Sequence, residues 1–255
     1  MESTSGSAAQ AYRDTYTVRA YESTAEGVAS VQAICNYLQE TAGNHSRRLG
    51  FSIEQLTKMG LTWMLARLRL RLTAMPRWRE AVDIETWPSG SDGLRALRDF
   101  LIYDSGAIIG RATSLWLAID LQRRRPTRLP VFISATVAEG IEPAVEHDFP
   151  SLDVPDDYEH AAEFNVRHSD LDMNRHVNNV RYVEWALESL PLELADASSL
   201  AELDVQFKAE TYAGDRVRAT AARESDDGHQ VSYLHRVVAL KDNREVAVLR
   251  TTWRR

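Results

Sequence analysis

The sequence predicts an α+β protein made of two copies of one unit, each a long antiparallel sheet wrapped around a central helix. Three observations lead there. A stretch near the start recurs in the second half, each copy has one run of helical periodicity, and each continues with segments in which apolar and polar residues alternate. The recurrence shows when Tyr16–Glu22 is laid on Phe164–Asp170. Val18 and Arg19 fall on Val166 and Arg167, 148 residues on, and Glu40 falls on Glu188 at the same spacing. A second spacing, 138, pairs Arg98, Asp104 and Thr113 with Arg236, Asp242 and Thr251. The spacing changes where loops differ in length.

Along the chain, residues 1–11 open on a stretch rich in Ser, Ala and Gly with neither a basic start nor an apolar core, so a disordered tail is expected and not a secretory signal. Ser23 and Glu26 have capping-box spacing, and Val28, Val31, Ile34, Leu38 and Ala42 follow at helical intervals. This predicts a helix from about Glu26 to Leu49, with Gly50 as its stop. From Thr62 to Ala74 the period falls to two, with Met64, Ala66, Leu68, Leu70 and Leu72 on one face and Arg67, Arg69 and Arg71 on the other. Val82, Ile84 and Thr86 continue the alternation, and Leu94–Tyr103 and Ala107–Asp120 read as a hairpin turning at Asp104–Gly106.

The second copy repeats the order, with a helix from about Arg175 to Leu190 and then Leu203, Val205, Phe207 and Ala209 alternating with Asp204, Gln206, Lys208 and Glu210. One long helix followed by a meander of long strands is the arrangement known as a hotdog, here in tandem. Pro126, Pro130, Pro143, Pro150 and Pro155 fall between the last strand of the first copy and the start of the second, as does the acidic stretch Asp153–Glu159. The expected organisation is a tail at 1–11, a first hotdog at 12–142, a linker at 143–160 and a second hotdog at 161–255.

A chain of 255 residues, 44% apolar, can bury a sizeable core. Its single cysteine, Cys35, excludes an intramolecular disulfide and a cysteine zinc site, which fits a reducing compartment, and cytoplasm is expected. No run reaches the roughly 18 apolar residues of a membrane span, so a soluble protein is expected. Thirty basic against 37 acidic side chains give a net charge of −7, which argues against nucleic-acid binding.

The candidate chemistry lies in the second copy. Where the first has Thr24, Glu26 and Val28, the second has Asp172, Asn174 and His176. In an extended approach these alternate positions share one side, and a helix starting there would aim free backbone N–H groups at the same space. The bland reading, a cap plus a satisfied histidine, is equally compatible with the spacing. Asp170-x-Asp172-x-Asn174 resembles the start of a calcium loop, but the sixth position is Arg175 and the twelfth Arg181, so no metal is expected. Cys35 sits mid-helix beside Ile34 and Leu38, as packing and not as a nucleophile. There is no phosphate loop and no nucleophile elbow, and no cofactor is expected.

The run Asp170-Leu-Asp-Met-Asn-Arg-His-Val-Asn-Asn-Val-Arg-Tyr-Val-Glu-Trp-Ala-Leu-Glu-Ser189 resembles the signature of the acyl-ACP thioesterases of plants and bacteria. Further similar stretches are Asn36–His45, Pro76–Val82, Ile84–Trp87 and Arg111–Trp116, in the family's order, over about Tyr12 to Trp253. The resemblance implies a tandem hotdog that hydrolyses fatty acyl thioesters of acyl carrier protein and so ends chain elongation. The family's catalytic Asp, Asn and His fall on Asp172, Asn174 and His176, and its Glu-Cys pair falls on Glu210 and Thr211. Thr211 replaces a cysteine once proposed as nucleophile. A neutral hydroxyl is a far weaker nucleophile than a thiolate, so attack by water is the simpler expectation. Glu210 or Asp172 would be the general base, with Glu210 favoured, His176 would orient and shuttle protons, and Asn174 with a backbone N–H would stabilise the oxyanion.

The resemblance also implies that the first copy holds the acyl chain, with Val28, Val31, Ile34, Cys35 and Leu38 as candidate lining residues. Acyl carrier protein is acidic, and Arg123, Arg124, Arg125 and Arg128 are the preferred docking candidates over the Arg67, Arg69, Arg71 face. A homodimer is a further candidate by analogy with such sheets. The competing functions are an acyl-CoA thioesterase, a hydratase or dehydratase of the same fold, and a non-catalytic acyl-thioester-binding module.

Overall fold

The structure, a computed structural model, describes residues 11–138 and 141–255; the first ten residues of the expected tail lie outside them. The chain divides into two compact units, one of residues up to 66 with 73–147, the other of 67–72 with 148–255.

In the first unit β1 (Tyr12–Thr17) precedes α1 (Val31–Arg48) and α2 (Ile53–Thr57). There follow β2 (Leu61–Leu72, of which 67–72 belong to the second unit), β3 (Ala81–Ser91), β4 (Arg95–Asp104), β5 (Ala107–Asp120), the short β6 (Arg125–Thr127) and α3 (Val131–Ser134). The strands run β1-β3-β4-β5-β2, with β6 beside β5. The β4–β5 turn closes as expected, with Ser105 and Gly106 both at positive φ (49° and 82°), the geometry of a tight two-residue hairpin.

The helix starts later than its periodicity suggested. Ser30 accepts the N–H of Ala33 at 3.1 Å and is the true cap. Residues 24–28 instead close a turn through Thr24 N–H to the Val28 carbonyl (2.8 Å), with Gly27 at φ 74°. The Ser23–Glu26 capping box does not form, because the Ser23 hydroxyl donates to the Arg19 carbonyl. Ile34, Cys35, Leu38 and Ala42 are buried where α1 packs on β1 and β3. Under the same helix, Arg98 donates to His45 Nδ1 (3.0 Å) and Thr86 (3.2 Å). Burial and this guanidinium push the His45 pKa down to about 3, and burial lowers that of Arg98 to about 10. On the opposite face of β4, buried Asp99 accepts from the Ala144 N–H (2.8 Å) and lies 3.0 Å from His147 Nε2, which fastens residues 144–147 to the sheet.

The second unit contains β7 (His160–Asn165), α4 (Asn179–Leu187), α5 (Leu192–Ala197), β8 (Ser199–Phe207), β9 (Arg216–Asp226), β10 (Gln230–Ala239) and β11 (Arg244–Arg254). Its order is β8-β11-β10-β9-β7, with residues 67–71 of β2 antiparallel to 202–206 of β8. The helix is shorter than predicted, starting at Asn179 after Asn178 accepts the Val180 N–H (3.0 Å). Strand β8 stops at Phe207, because the N–H groups of Lys208 and Ala209 both turn to the Val246 carbonyl. Glu210 therefore sits on a loop and not on a strand face.

The expected solvent face of arginines is also different. Arg67 is buried and forks onto Asp204 at 2.7 and 2.9 Å, with its third nitrogen on the Pro150 carbonyl (2.6 Å). Arg69 pairs with Asp204 and Asp148, and Arg71 with Glu202, so this face is held by its own acids.

The 148-residue repeat is reproduced in backbone hydrogen bonds of residues 19–29 and 167–177. A 3₁₀ turn occupies Ala20–Glu22 in one copy and His168–Asp170 in the other. Arg19 N–H donates to Glu22 (2.9 Å) as Arg167 N–H does to Asp170 (2.7 Å). Thr24 to Val28 matches Asp172 to His176, both 2.8 Å, and the bridges Ser23–Ala29 and Leu171–Val177 correspond. The 138 spacing does not mark equivalent positions. Arg98 faces α1, whereas Arg236 bonds Asp156 and the Val154 carbonyl ahead of β7. A one-residue slip in a strand moves a side chain to the other face.

Candidate active site

Two loops of the second unit build the site. In residues 171–178, Asp172 Oδ1 accepts the backbone N–H of Asn174 (2.8 Å) and of His176 (3.2 Å), and its carbonyl accepts that of Arg175 (3.0 Å). Asp172 thereby shapes the turn, with Arg175 at φ 64°. Beneath it, buried Asp170 is held by the N–H and guanidinium of Arg167.

The second loop follows β8. The Val177 N–H donates to the Thr211 carbonyl (3.1 Å), which draws the loops together and sets His176 Nδ1 3.5 Å from Glu210 Oε1. Tyr212 donates its hydroxyl to Glu210 Oε2 (2.9 Å) and stands edge-on to the His176 ring, centroids 5.4 Å apart. Arg244 donates to the Glu210 carbonyl (3.2 Å). An open pocket of about 270 Å³ is lined by Leu171, Asn174, Arg175, His176, Tyr212 and Ala213.

The structure thus brings together Asn174, His176 and Glu210, with Asp172 behind them as the organiser of the turn. Thr211 is different. Its side chain is fully buried, with Oγ1 2.8 Å from the Tyr182 hydroxyl, which also accepts the Thr211 N–H (3.1 Å). The expected free helix N–H groups are also engaged. Those of Asn174, Arg175, His176, Val177, Asn178 and Val180 all donate within the protein. The exposed Asn174 amide is left as the pocket's neutral donor.

Sequence reading missed Tyr212. The signal lay in a repeat at 135 residues. Arg77 N–H to Glu80 matches Tyr212 N–H to Asp215, and Arg79 N–H to the Val18 carbonyl matches Gly214 N–H to the Val166 carbonyl. Ala29 N–H to the Pro76 carbonyl likewise matches Val177 to Thr211. The first copy therefore keeps the same two loops, with Val28 in place of His176, Met75 in place of Glu210 and Arg77 in place of Tyr212.

Of the residues expected to line an acyl chain, Val31, Ile34, Cys35 and Leu38 are buried on α1, while Val28 lies in the turn before it and is half-buried. Burial pushes the Cys35 thiol pKa up to about 12, which removes it as a nucleophile. Arg123, Arg124, Arg125 and Arg128 are exposed in and after the β5–β6 turn, where Asp120 accepts the Gln122 and Arg123 N–H groups. Among the described residues no cluster of His, Cys, Asp and Glu is arranged to hold a metal, and no helix is long and apolar enough to cross a membrane.

Residues 9–136 match the family described as acyl-ACP thioesterase N-terminal domain, and residues 154–255 match its C-terminal domain. A chloroplastic palmitoyl-acyl carrier protein thioesterase of Cuphea hookeriana is 31% identical over 95% of this chain. The chain spans 62% of that relative's length. An oleoyl-acyl carrier protein thioesterase of Arabidopsis thaliana is 30% identical over 96% of this chain and 77% of its own. Among solved structures, the 12:0-ACP thioesterase of Umbellularia californica superposes with a TM-score of 0.85 at 26% identity, covering 96% of this chain and 94% of that one. An acyl-ACP thioesterase of Bacteroides thetaiotaomicron gives 0.86 at 25% identity, covering 95% and 97%.

Proposed function

Because the chain belongs to the acyl-ACP thioesterase family and carries both of the family's domains, we propose that it hydrolyses fatty acyl thioesters of acyl carrier protein to free fatty acid and carrier thiol. The observation that carries this reading is the facing of His176 Nδ1 and Glu210 at 3.5 Å beside an open pocket, in the one copy of the repeat that has both residues.

The geometry supports Glu210 acting through His176 instead of alone. With Nδ1 turned to the carboxylate, Nε2 is the nitrogen left for the attacking water. His176 takes the water proton as the oxygen adds to the thioester carbon, and Glu210 stabilises the imidazolium. Asn174 donates to the developing oxyanion. Collapse of the tetrahedral intermediate breaks the C–S bond, and the imidazolium returns its proton to the leaving thiolate. Asp172 keeps the turn that carries Asn174 and His176. Thr211 takes no covalent part, since its hydroxyl is buried against Tyr182.

Within this reading the setting is the cytoplasm, the partner is acyl carrier protein and the reaction ends fatty-acid elongation. The acidic carrier docks on Arg123, Arg124, Arg125 and Arg128, and the apolar face of α1 in the first unit bounds the acyl chain. The test is incubation with matched acyl carrier protein and acyl-CoA thioesters of several chain lengths, with free acid and free thiol both measured. Release from the carrier substrates at higher kcat/KM supports the proposal. A preference for CoA would replace the partner, an enoyl product without free acid would replace the reaction, and binding without thiol release would replace catalysis.

A further inference from the structure

We infer that Tyr212 is a positioning residue that fixes the Glu210 carboxylate on His176 Nδ1, and so sets which imidazole nitrogen carries the proton. This rests on the thioesterase reading and adds to it a residue outside the Asp, Asn, His and Glu set. The hydroxyl donates to Oε2 of Glu210 at 2.9 Å while the other carboxylate oxygen faces Nδ1 at 3.5 Å. The ring stands edge-on to the imidazole, so one side chain touches both partners.

The turn itself does not require a tyrosine. In the first copy Arg77 occupies the same backbone position and makes the same bonds, its N–H to Glu80 (2.6 Å) and its carbonyl to the Glu80 N–H (3.0 Å). Tyr212 makes the equivalent pair with Asp215 at 3.1 and 3.0 Å. What distinguishes the second copy is the side chain, and its hydroxyl and ring go to the two residues that the first copy lacks. Two of the other charges around it are committed elsewhere. Lys241, 5.7 Å from the ring, pairs with Asp215, and Arg244 pairs with Asp242 and donates to the Glu210 carbonyl. A carboxylate held by an O–H donor at one oxygen loses rotational freedom, which is how an outer hydrogen bond orients a catalytic pair.

The test uses the full chain and the variants Tyr212→Phe, which keeps the ring, Tyr212→Leu, which keeps neither contact, and Glu210→Gln. Two readouts are taken: steady-state hydrolysis of an acyl carrier protein thioester, and the tautomer of His176 by ¹⁵N NMR. Tyr212→Phe is expected to lower kcat about tenfold with KM within about twofold, as loss of one orienting hydrogen bond does. Tyr212→Leu should lower it further. In the Glu210→Gln background, Tyr212→Phe should add little, the non-additivity of groups acting as a unit. Wild type should show the Nδ1–H tautomer and Tyr212→Phe a mixture. Unchanged kcat and tautomer in Tyr212→Phe, or equal losses in both backgrounds, would overturn the inference. An inactive wild type with the tautomer shift intact would sink the thioesterase reading and leave the positioning role standing.

Discussion

Replacing Thr211 by valine separates water attack from covalent catalysis. The substitution keeps the shape and removes one hydroxyl, Oγ1, which lies 2.8 Å from the Tyr182 hydroxyl in a fully buried site. Whichever hydroxyl donates, that bond is lost, and the Tyr182 hydroxyl keeps only the residue 211 N–H (3.1 Å). A buried polar group left with an unmade hydrogen bond costs about 1–3 kcal/mol. For a chain of this size each kcal/mol lowers Tm by about 2–4 °C. The expected result is a Tm lower by several degrees, read by circular dichroism, with kcat at 25 °C within about threefold of wild type. Were Thr211 the nucleophile, kcat would fall by several orders of magnitude at unchanged fold, as loss of a covalent nucleophile does. That outcome, together with a burst of thiol release in the wild type, would make Thr211 the nucleophile and rule out direct attack by water.

His45 and His235 stay neutral in the folded state down to about pH 3, both through burial and His45 also through Arg98, whereas unfolded histidine protonates below about 6.5. The unfolded state binds more protons in between, so stability is full above pH 6.5 and falls as pH drops, by about 2 kcal/mol per histidine from pH 7 to pH 5. Urea midpoints at the two pH values check this, and His235→Gln should flatten the dependence. Asp204→Ala strands the buried Arg67 guanidinium and should cost about 3–5 kcal/mol in urea unfolding, while Asp204→Leu with Arg67→Met should cost much less. Asp172→Asn keeps an acceptor for the Asn174 and His176 N–H groups and should retain most of kcat, whereas Asp172→Ala should not. Equal loss in both would mean that the charge, and not the turn, is what catalysis uses.

The fold was legible in the sequence because period is a property of chain geometry. Leu68, Leu70 and Leu72, then Val82, Ile84 and Thr86, alternate in the sequence and are buried as that alternation predicts. Element ends were less legible, since apolar spacing carries through Val28 although the backbone there is spent on a turn. Arg67 read as a surface residue because its partner, Asp204, is 137 positions away and reads as surface itself. The Asp172, Asn174 and His176 triplet was visible as a contrast between copies, and the structure separates its members by role. Asp172 caps no helix, a place taken by Asn178, but its carboxylate holds the turn, while His176 and Asn174 face the pocket. The Glu210–Tyr212 bond was out of reach, because β8 ends two residues before its expected last apolar position and turns Glu210 into a loop residue.

Single-turnover hydrolysis of one acyl carrier protein thioester by wild type and His176→Ala at saturating enzyme, with circular dichroism to confirm matching folds, tests whether His176 catalyses thioester cleavage. The wild type should release free acid and free thiol stoichiometrically, and the variant should react about 10²–10⁴-fold more slowly, the usual worth of a general acid–base residue. Equal rates in the two proteins would contradict that role.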